Sequence, residues 1–202
     1  MSGYSQYFIV LSLLLPLLSP LRASAATETA ILAGGCFWCL EADYEKLDGV
    51  VDVVSGYTGG HVDNPTYEQV SSGTSGHIEA VTVTYDTNKL DYSRILDYFW
   101  HHIDPTRDDG QFCDRGSQYR PAIFYQNQKQ YQQALASVER INKSKPFKAV
   151  LKVELIKASH FYPAESYHQD YYKKNPYRYR FYRYTCGRDA RVKALWGERI
   201  RQ

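Results

Sequence analysis

Methionine is missing from this sequence beyond its first residue: Met1 is the only one in 202. A chain with no internal methionine lacks the side chain most readily turned into a sulfoxide, although chance also produces such a gap in a short chain. Neither sign of charge is in excess, since 24 Lys and Arg against 22 Asp and Glu leave a formal +2. That near balance removes the electrostatic reason to propose nucleic acid as a partner. The apolar run at Phe8–Leu18 contains Pro16 and falls well short of the roughly 20 residues that span a bilayer. No repeat, low-complexity tract or Gly/Ser linker divides residues 27–202, so a single domain of ordinary size is expected there. Cysteine is scarce too. Four cysteines are too few for a disulfide scaffold, which leaves them as disulfide partners or redox-active thiols.

What is present describes a globular protein, with 44% apolar and 23% charged residues. Residues 1–26 read as a targeting segment, because the apolar run precedes Ala23-Ser24-Ala25-Ala26, an A-x-A cleavage pattern. No Lys or Arg precedes that run, so an uncleaved interfacial anchor is the alternative. Cleavage near Ala25 would leave a mature chain with no methionine and expose its cysteines to an oxidising compartment. Export to the periplasm or beyond is the working expectation. Tyrosine is abundant and uneven: of 19, eight lie between Tyr162 and Tyr184. They read as a well-packed surface segment or as a pocket rim of rings with hydroxyl tips.

Periodicity predicts an α+β fold with helices packed on one mixed sheet. Strands are expected at Thr29–Ala33, Gly49–Tyr57, Gly76–Tyr85, Ala122–Tyr125 and Val150–Ala158. Helices are expected at Cys36–Leu47, Tyr92–Ile103, Gln128–Ile141 and Ala164–Lys174, the last stopped by Asn175-Pro176. Gly59–Pro65 and Arg107–Gln118 read as loops.

Chemistry concentrates at Gly34-Gly35-Cys36-Phe37-Trp38-Cys39. A strand passing through two glycines into a helix puts Cys36 at the helix N-terminus, where free N–H groups and the dipole favour thiolate. Cys39 follows on the same helix face, and Phe37 and Trp38 supply apolar walls. The bland alternative for Cys36 is a small buried hydrophobe. Glu79 alternates with Val81, Val83 and Tyr85, so its carboxyl faces the apolar side, where desolvation favours the neutral acid. Such a group is a candidate general acid; the alternative is a strand-end Glu paired with Arg or Lys. His77 beside it makes an H-x-E pair, yet no further His/Cys spacing completes a metal site. A thiolate, a neutral acid, an aromatic box and further thiols fit attack on an oxidised sulfur. The departing oxygen needs a proton, a sulfenic acid remains, and a second thiol condenses with it. A thioredoxin-like disulfide oxidoreductase using Cys36 and Cys39, or a peptide-binding module using the Tyr-rich segment, are the competing readings.

Gly35-Cys36-Phe37-Trp38, Asn64-Pro65-Thr66-Tyr67, Gly76-His77-Ile78-Glu79-Ala80-Val81 and Asp114-Arg115-Gly116-Ser117-Gln118-Tyr119-Arg120, in that order, resemble the motifs of the A-type peptide methionine sulfoxide reductases. The resemblance runs from about Ala30 to Pro176. It implies a two-layer α/β sandwich around a mixed sheet with a ferredoxin-like core. It implies Cys36 as nucleophile on the S-epimer of methionine sulfoxide, free or in proteins, with Phe37 and Trp38 holding the substrate methyl group. Glu79 would protonate the sulfoxide oxygen, with Tyr67 and Tyr119 hydrogen-bonding nearby and Asp114 orienting the substrate. It also implies no bound cofactor, a thioredoxin-like dithiol as reductant, and a monomer. The sequence departs from the family at Cys113, Pro121 and Cys39, where Asn, Ser and Gly are more usual. Cys186, ahead of Gly187, lies where the family often keeps a resolving cysteine. Cys186 is therefore the first candidate to resolve Cys36, Cys39 the second and Cys113 the third.

Overall fold

The computed structural model describes residues 26–197, together with 1 and 3. The leader expected over 1–26 lies outside the described residues, apart from Met1, Gly3 and Ala26.

Alternation in Thr27–Ala33 (β1) sends Ala30 and Leu32 to one face of a sheet and Ile31 and Ala33 to the other. All four are buried, so this strand is central. Gly34 and Gly35 end it, and Phe37–Tyr44 (α1) follows. Next come Val50–Thr58 (β2), Tyr67–Ser71 (α2), Ile78–Asp86 (β3) and Tyr92–Trp100 (α3). The short strands Gly110–Gln111 (β4) and Asp114–Arg115 (β5) pair with each other, and a 3-10 turn spans Ser117–Tyr119. Ala122–Tyr125 (β6), Gln128–Ser144 (α4), Glu154–Lys157 (β7) and Phe161–Pro163 (β8) follow. Three helices close the described chain: Tyr171–Lys174 (α5), Pro176–Thr185 (α6) and Arg188–Trp196 (α7).

The main sheet has the order β7-β6-β1-β3-β2-β8, antiparallel except for the parallel pair β6–β7. Within it, β1-α1-β2-β3-α3-β6 is a βαββαβ unit with the spatial order β6-β1-β3-β2, the ferredoxin-like arrangement. The expected α+β fold on a mixed sheet is therefore what forms. One sheet face, carrying Leu32, Val81, Val83 and Tyr85, packs on Leu40 of α1 and on Ile95, Leu96, Phe99 and Trp100 of α3. Each such fully buried side chain stabilises the fold by about 1.5–3 kcal/mol. The indole N–H of Trp100 donates to Ser137 Oγ of α4 at 3.1 Å, so its polar atom is satisfied inside the core. The opposite face, with Ile31, Ile78, Ala80 and Phe124, is covered by Phe161, Ile156 and Ala158.

The expected helix over Ala164–Lys174 does not form as one element. Ala164 N–H bonds to Ser55 O at the sheet edge, and the Gln169 carboxamide takes both backbone groups of Ser55. Asp170 then adopts a left-handed conformation (φ 54°), so helix begins only at Tyr171. The segment expected as loop at 107–118 contains the β4–β5 hairpin, turned by Phe112 at φ 53°. The strand expected over 150–158 is shorter, Glu154–Lys157, and the helix expected over 36–47 is limited to Phe37–Tyr44. From Tyr171 onward the Tyr-rich segment is helical, whereas Tyr162 lies in β8: Tyr171 and Tyr179 are buried against Cys39 and Ala42 of α1, with Tyr172 and Tyr182 beside them. No helix among the described residues is long and apolar enough to cross a membrane.

Candidate active site

The turn between β1 and α1 builds the floor of the site. Gly35 sits at φ +85°, and a Cβ there would come within 2.6 Å of Gln111 Cβ, so only glycine fits. Cys36 stands at the N-cap position, 7% exposed, without a side-chain cap bond. The first free helical donor, Phe37 N–H, points instead to Glu79 Oε2 at 3.0 Å. Glu79 reaches this point because β3 alternation directs it inward, opposite Tyr57 of β2. It is 2% exposed, and burial pushes its pKa up to about 8 against the lowering effect of the Phe37 N–H. Among the described residues Glu79 has no ion pair. The neutral-acid expectation therefore holds over the Arg- or Lys-paired alternative.

The expectation of a Cys36 thiolate does not hold. Burial pushes the Cys36 thiol well up, and Cys39, Glu79 and Asp114 add to it by hydrogen bonding or negative charge. The dipole of an eight-residue helix, its leading N–H already bonded to Glu79, does not offset that. Cys39, equally buried, is lowered instead: the Cys36 thiol donates to it, and the Arg188 and Arg183 guanidinium groups favour its charge. Both arginines come from the C-terminal helices. Arg188 is 2% exposed and donates to Gly34 O and His102 O, while Arg183 pairs with Asp43 at 2.9 Å.

A cavity of about 80 Å³ opens on Cys36, lined by Phe37, Trp38, Tyr67, Glu79, Asp114, Tyr119 and Tyr182. Every catalytic or substrate-binding residue expected from the sequence is thus in one place, although they come from four separate segments. Tyr67 starts α2, whose N-terminus is fixed by a Thr66–Gln69 capping box and by Tyr67 N–H donating to Glu165. Burial raises Tyr67 to about 12 and Tyr119 further, so both hydroxyls stay protonated donors. Asp114 accepts from Tyr182 OH at 2.6 Å, and its pKa is raised by burial. Tyr182 was not legible as a site residue in the sequence, since nothing local separates it from the other tail tyrosines. Trp38 donates its indole N–H to His168 and stacks on Tyr171 at 3.6 Å.

The three candidate resolving cysteines divide. Cys113, exposed beside Asp114, is bonded to the half-buried Cys186 across a Cα–Cα distance of 4.9 Å. Cys39 remains a free thiol next to Cys36. A pair of buried thiols, a protonated acid and a surface disulfide around one ring-walled cavity are the parts of a thiol-dependent oxidoreductase.

Known proteins narrow that class. The family model for peptide methionine sulfoxide reductase matches residues 28–200. The chain is 58% identical over 174 residues to the peptide methionine sulfoxide reductase MsrA/MsrB of Vibrio cholerae, spanning 86% of this chain but 46% of that protein. It is 52% identical over 180 residues to MsrA 2 of Caulobacter vibrioides, spanning 89% and 90% of the two chains. Among solved structures, reduced Mxr1 of Saccharomyces cerevisiae superposes with a TM-score of 0.70 at 28% identity, over 75% of this chain and 87% of that one. The same yeast protein in complex with Trx2 shares the fold at 20% identity and a TM-score of 0.51. The chain belongs to the peptide methionine sulfoxide reductase family.

Proposed function

We propose that this chain reduces the S-epimer of methionine sulfoxide, free or in proteins, as an exported repair enzyme. One observation carries the reading: Cys36 and the protonated Glu79 share the floor of a cavity whose walls are Phe37 and Trp38. The rings receive the substrate methyl group, and the Tyr67 and Tyr119 hydroxyls and Glu79 surround the sulfoxide oxygen. Asp114 orients the substrate through its polar groups. Cys36 Sγ attacks the sulfoxide sulfur while Glu79 protonates the oxygen. The new S–S bond and the substrate's S–O bond then break as the hydroxyl passes to Cys36 Sγ, so methionine leaves and Cys36 is left as a sulfenic acid. The proton that Glu79 gives to the oxygen is replaced by the one Cys36 loses, so the thiol need not be ionised beforehand and Glu79 ends the step protonated.

Cys39 is the nearest thiol, and the two arginines favour its thiolate. It attacks the Cys36 sulfur, expelling hydroxide that leaves as water, and a Cys36–Cys39 disulfide forms. Exchange with reduced Cys113 and Cys186 returns Cys36 and Cys39 to thiols and creates the surface disulfide, the redox state seen here. An external thioredoxin-like dithiol then reduces that bond at the exposed Cys113, in keeping with the meeting of Mxr1 and Trx2 in the yeast complex. This route takes Cys39 ahead of Cys186 as the resolving thiol and gives Cys113 and Cys186 the recycling role. Residues 27–202 act as one catalytic unit behind a cleaved leader, and the enzyme works as a monomer with no bound cofactor. Cys36→Ser is expected to abolish turnover of methionine-S-sulfoxide with a small dithiol as reductant. Retained turnover would refute the assignment.

A further inference from the structure

Cys113, Cys186 and Asp114 bring three side chains of metal-ligating type to one place at the edge of the cavity. Two sulfurs and a carboxylate oxygen there all lie within 4.8 Å of one another. Cys113 belongs to the turn of the β4–β5 hairpin, Asp114 opens β5 and Cys186 caps α6. Spacing in the sequence hides the group, because Cys186 lies 73 residues beyond Cys113. A second such group among the described residues, Glu41, Glu45 and Asp170, offers oxygen only. It is already neutralised, since Lys173 Nζ stands 2.6 Å from Glu45 and 2.8 Å from Asp170.

The geometry of the first group is close to what Zn²⁺ needs. Zn–S bonds of about 2.3 Å and a Zn–O bond of about 2.0 Å at tetrahedral angles put sulfur and oxygen about 3.5 Å apart. Here each sulfur faces a different oxygen of one carboxylate, Cys113 Sγ to Oδ1 at 3.8 Å and Cys186 Sγ to Oδ2 at 3.9 Å. The two Cα atoms are 4.9 Å apart, so both sulfurs reach a shared ion once the disulfide is reduced. Supporting contacts are in place as well. Tyr182 OH donates to Asp114 Oδ2 at 2.6 Å and orients the carboxylate, and Cys113 N–H donates to Cys186 Sγ at 3.2 Å, a contact that favours a thiolate. Thiolate donors select a soft or borderline ion over Mg²⁺ or Ca²⁺, and Zn²⁺ carries no redox chemistry that would turn them back into a disulfide. Cys113 is exposed and the other two are half-buried, so the ion enters from solvent and keeps its fourth position open on that side.

We propose that reduced Cys113 and Cys186, with Asp114, bind one Zn²⁺, and that the bound ion holds the pair as thiolates and blocks its return to the disulfide. Each thiol gives up its proton as it ligates, and no electron moves. Binding is independent of the reading of the cavity as a sulfoxide site. The test uses the reduced Cys36→Ser/Cys39→Ser double variant, freed of reductant and titrated with Zn²⁺ and, for its thiolate-to-metal absorption band, with Co²⁺. One ion per chain and the band are expected, and neither in the same variant with its disulfide formed. Adding Cys113→Ser is expected to weaken Zn²⁺ about a hundredfold, and adding Asp114→Asn about tenfold. Saturating Zn²⁺ is expected to slow formation of the Cys113–Cys186 disulfide by diamide at least about tenfold, followed by mass spectrometry. Zn²⁺ affinity unchanged by Cys113→Ser or by Asp114→Asn would overturn the proposal. So would equal binding by the disulfide form, or oxidation at an unchanged rate under saturation. If the double variant does not fold, the parent chain against Cys113→Ser gives the same comparison, because both keep Cys36 and Cys39.

Discussion

Glu79 does its work by being a poor carboxylate. Its pKa near 8 comes from burial, and a general acid must still hold its proton at working pH. The reductive step should therefore be fastest below pH 8 and fall as Glu79 ionises above it. Glu79→Gln is expected to slow the step by about 10²–10⁴ and to remove that fall. The same burial costs stability, and the direction follows from linkage. Below the ordinary carboxylate pKa both folded and unfolded chains hold the proton, and nothing is lost. As pH rises towards 8 the unfolded chain releases the proton before the folded one, so stability drains away over that window and levels off above it. Thermal melts of Glu79→Gln should accordingly show a smaller loss between pH 5 and pH 8 than the parent, with a gain of up to a few kcal/mol at the upper end. Parallel melting profiles for the two proteins would contradict this account of the carboxyl. The direction of this side chain was legible in the sequence, because the alternation of Glu79 with Val81, Val83 and Tyr85 marks one face of a strand. The state of Cys36 was not: a helix N-terminus argues for thiolate, and only the fold reveals how completely that sulfur is buried, the largest cause of its raised pKa.

At the scale of elements, the site depends on the junction between β1 and α1. Gly35 lies where an L side chain is strained and where Gln111 leaves no room. Gln111 in turn bonds to both backbone groups of Asp104 after α3, at 2.8 Å each, so the junction is tied to two elements. Gly35→Ala is expected to cost about 2 kcal/mol, near 5 °C in Tm, and to slow turnover by displacing Cys36. An unchanged Tm with full activity would show that the turn tolerates the change. Most elements near this junction could be read from periodicity, including the Gly-Gly stop and the apolar stripe of α3. The C-terminal helices could not. In α5 and α6 the inner face is built from tyrosines whose spacing is broken by Asn175-Pro176, and the outer face of α6 mixes Tyr177, Phe181 and Tyr184 with Arg178 and Arg180, so no purely polar side marks the surface. The expected helix at 164–174 failed because Gln169 and Ser55, which bond across the sheet edge, are 114 residues apart. Local pattern carries no trace of such a contact, and the same holds for Cys113 and Cys186, 73 residues apart.

Over the whole molecule, the chain folds its C-terminal segment back onto α1, and Cys186 of that segment meets Cys113 of the β4–β5 hairpin. Cys36 is a buried thiol at the cavity floor with the buried thiol of Cys39 beside it, and Cys113 and Cys186 form a disulfide whose exposed member faces solvent. On the proposed route, oxidising equivalents pass from the buried Cys36 sulfur by way of Cys39 to the surface disulfide. The absence of internal methionine takes on a meaning at this scale: an enzyme for oxidised methionine carries none that would be damaged or compete for its own cavity. The most direct test starts from fully reduced protein mixed with one equivalent of a methionine-S-sulfoxide peptide, quenched at increasing times with a sulfenic-acid trap and a thiol alkylator, then mapped by mass spectrometry. The account predicts a sulfenic acid on Cys36 first, a Cys36–Cys39 disulfide next and the Cys113–Cys186 disulfide last, with one methionine formed per chain. Methionine formed while Cys36 remains an unmodified thiol at every time, before any disulfide appears, would contradict it.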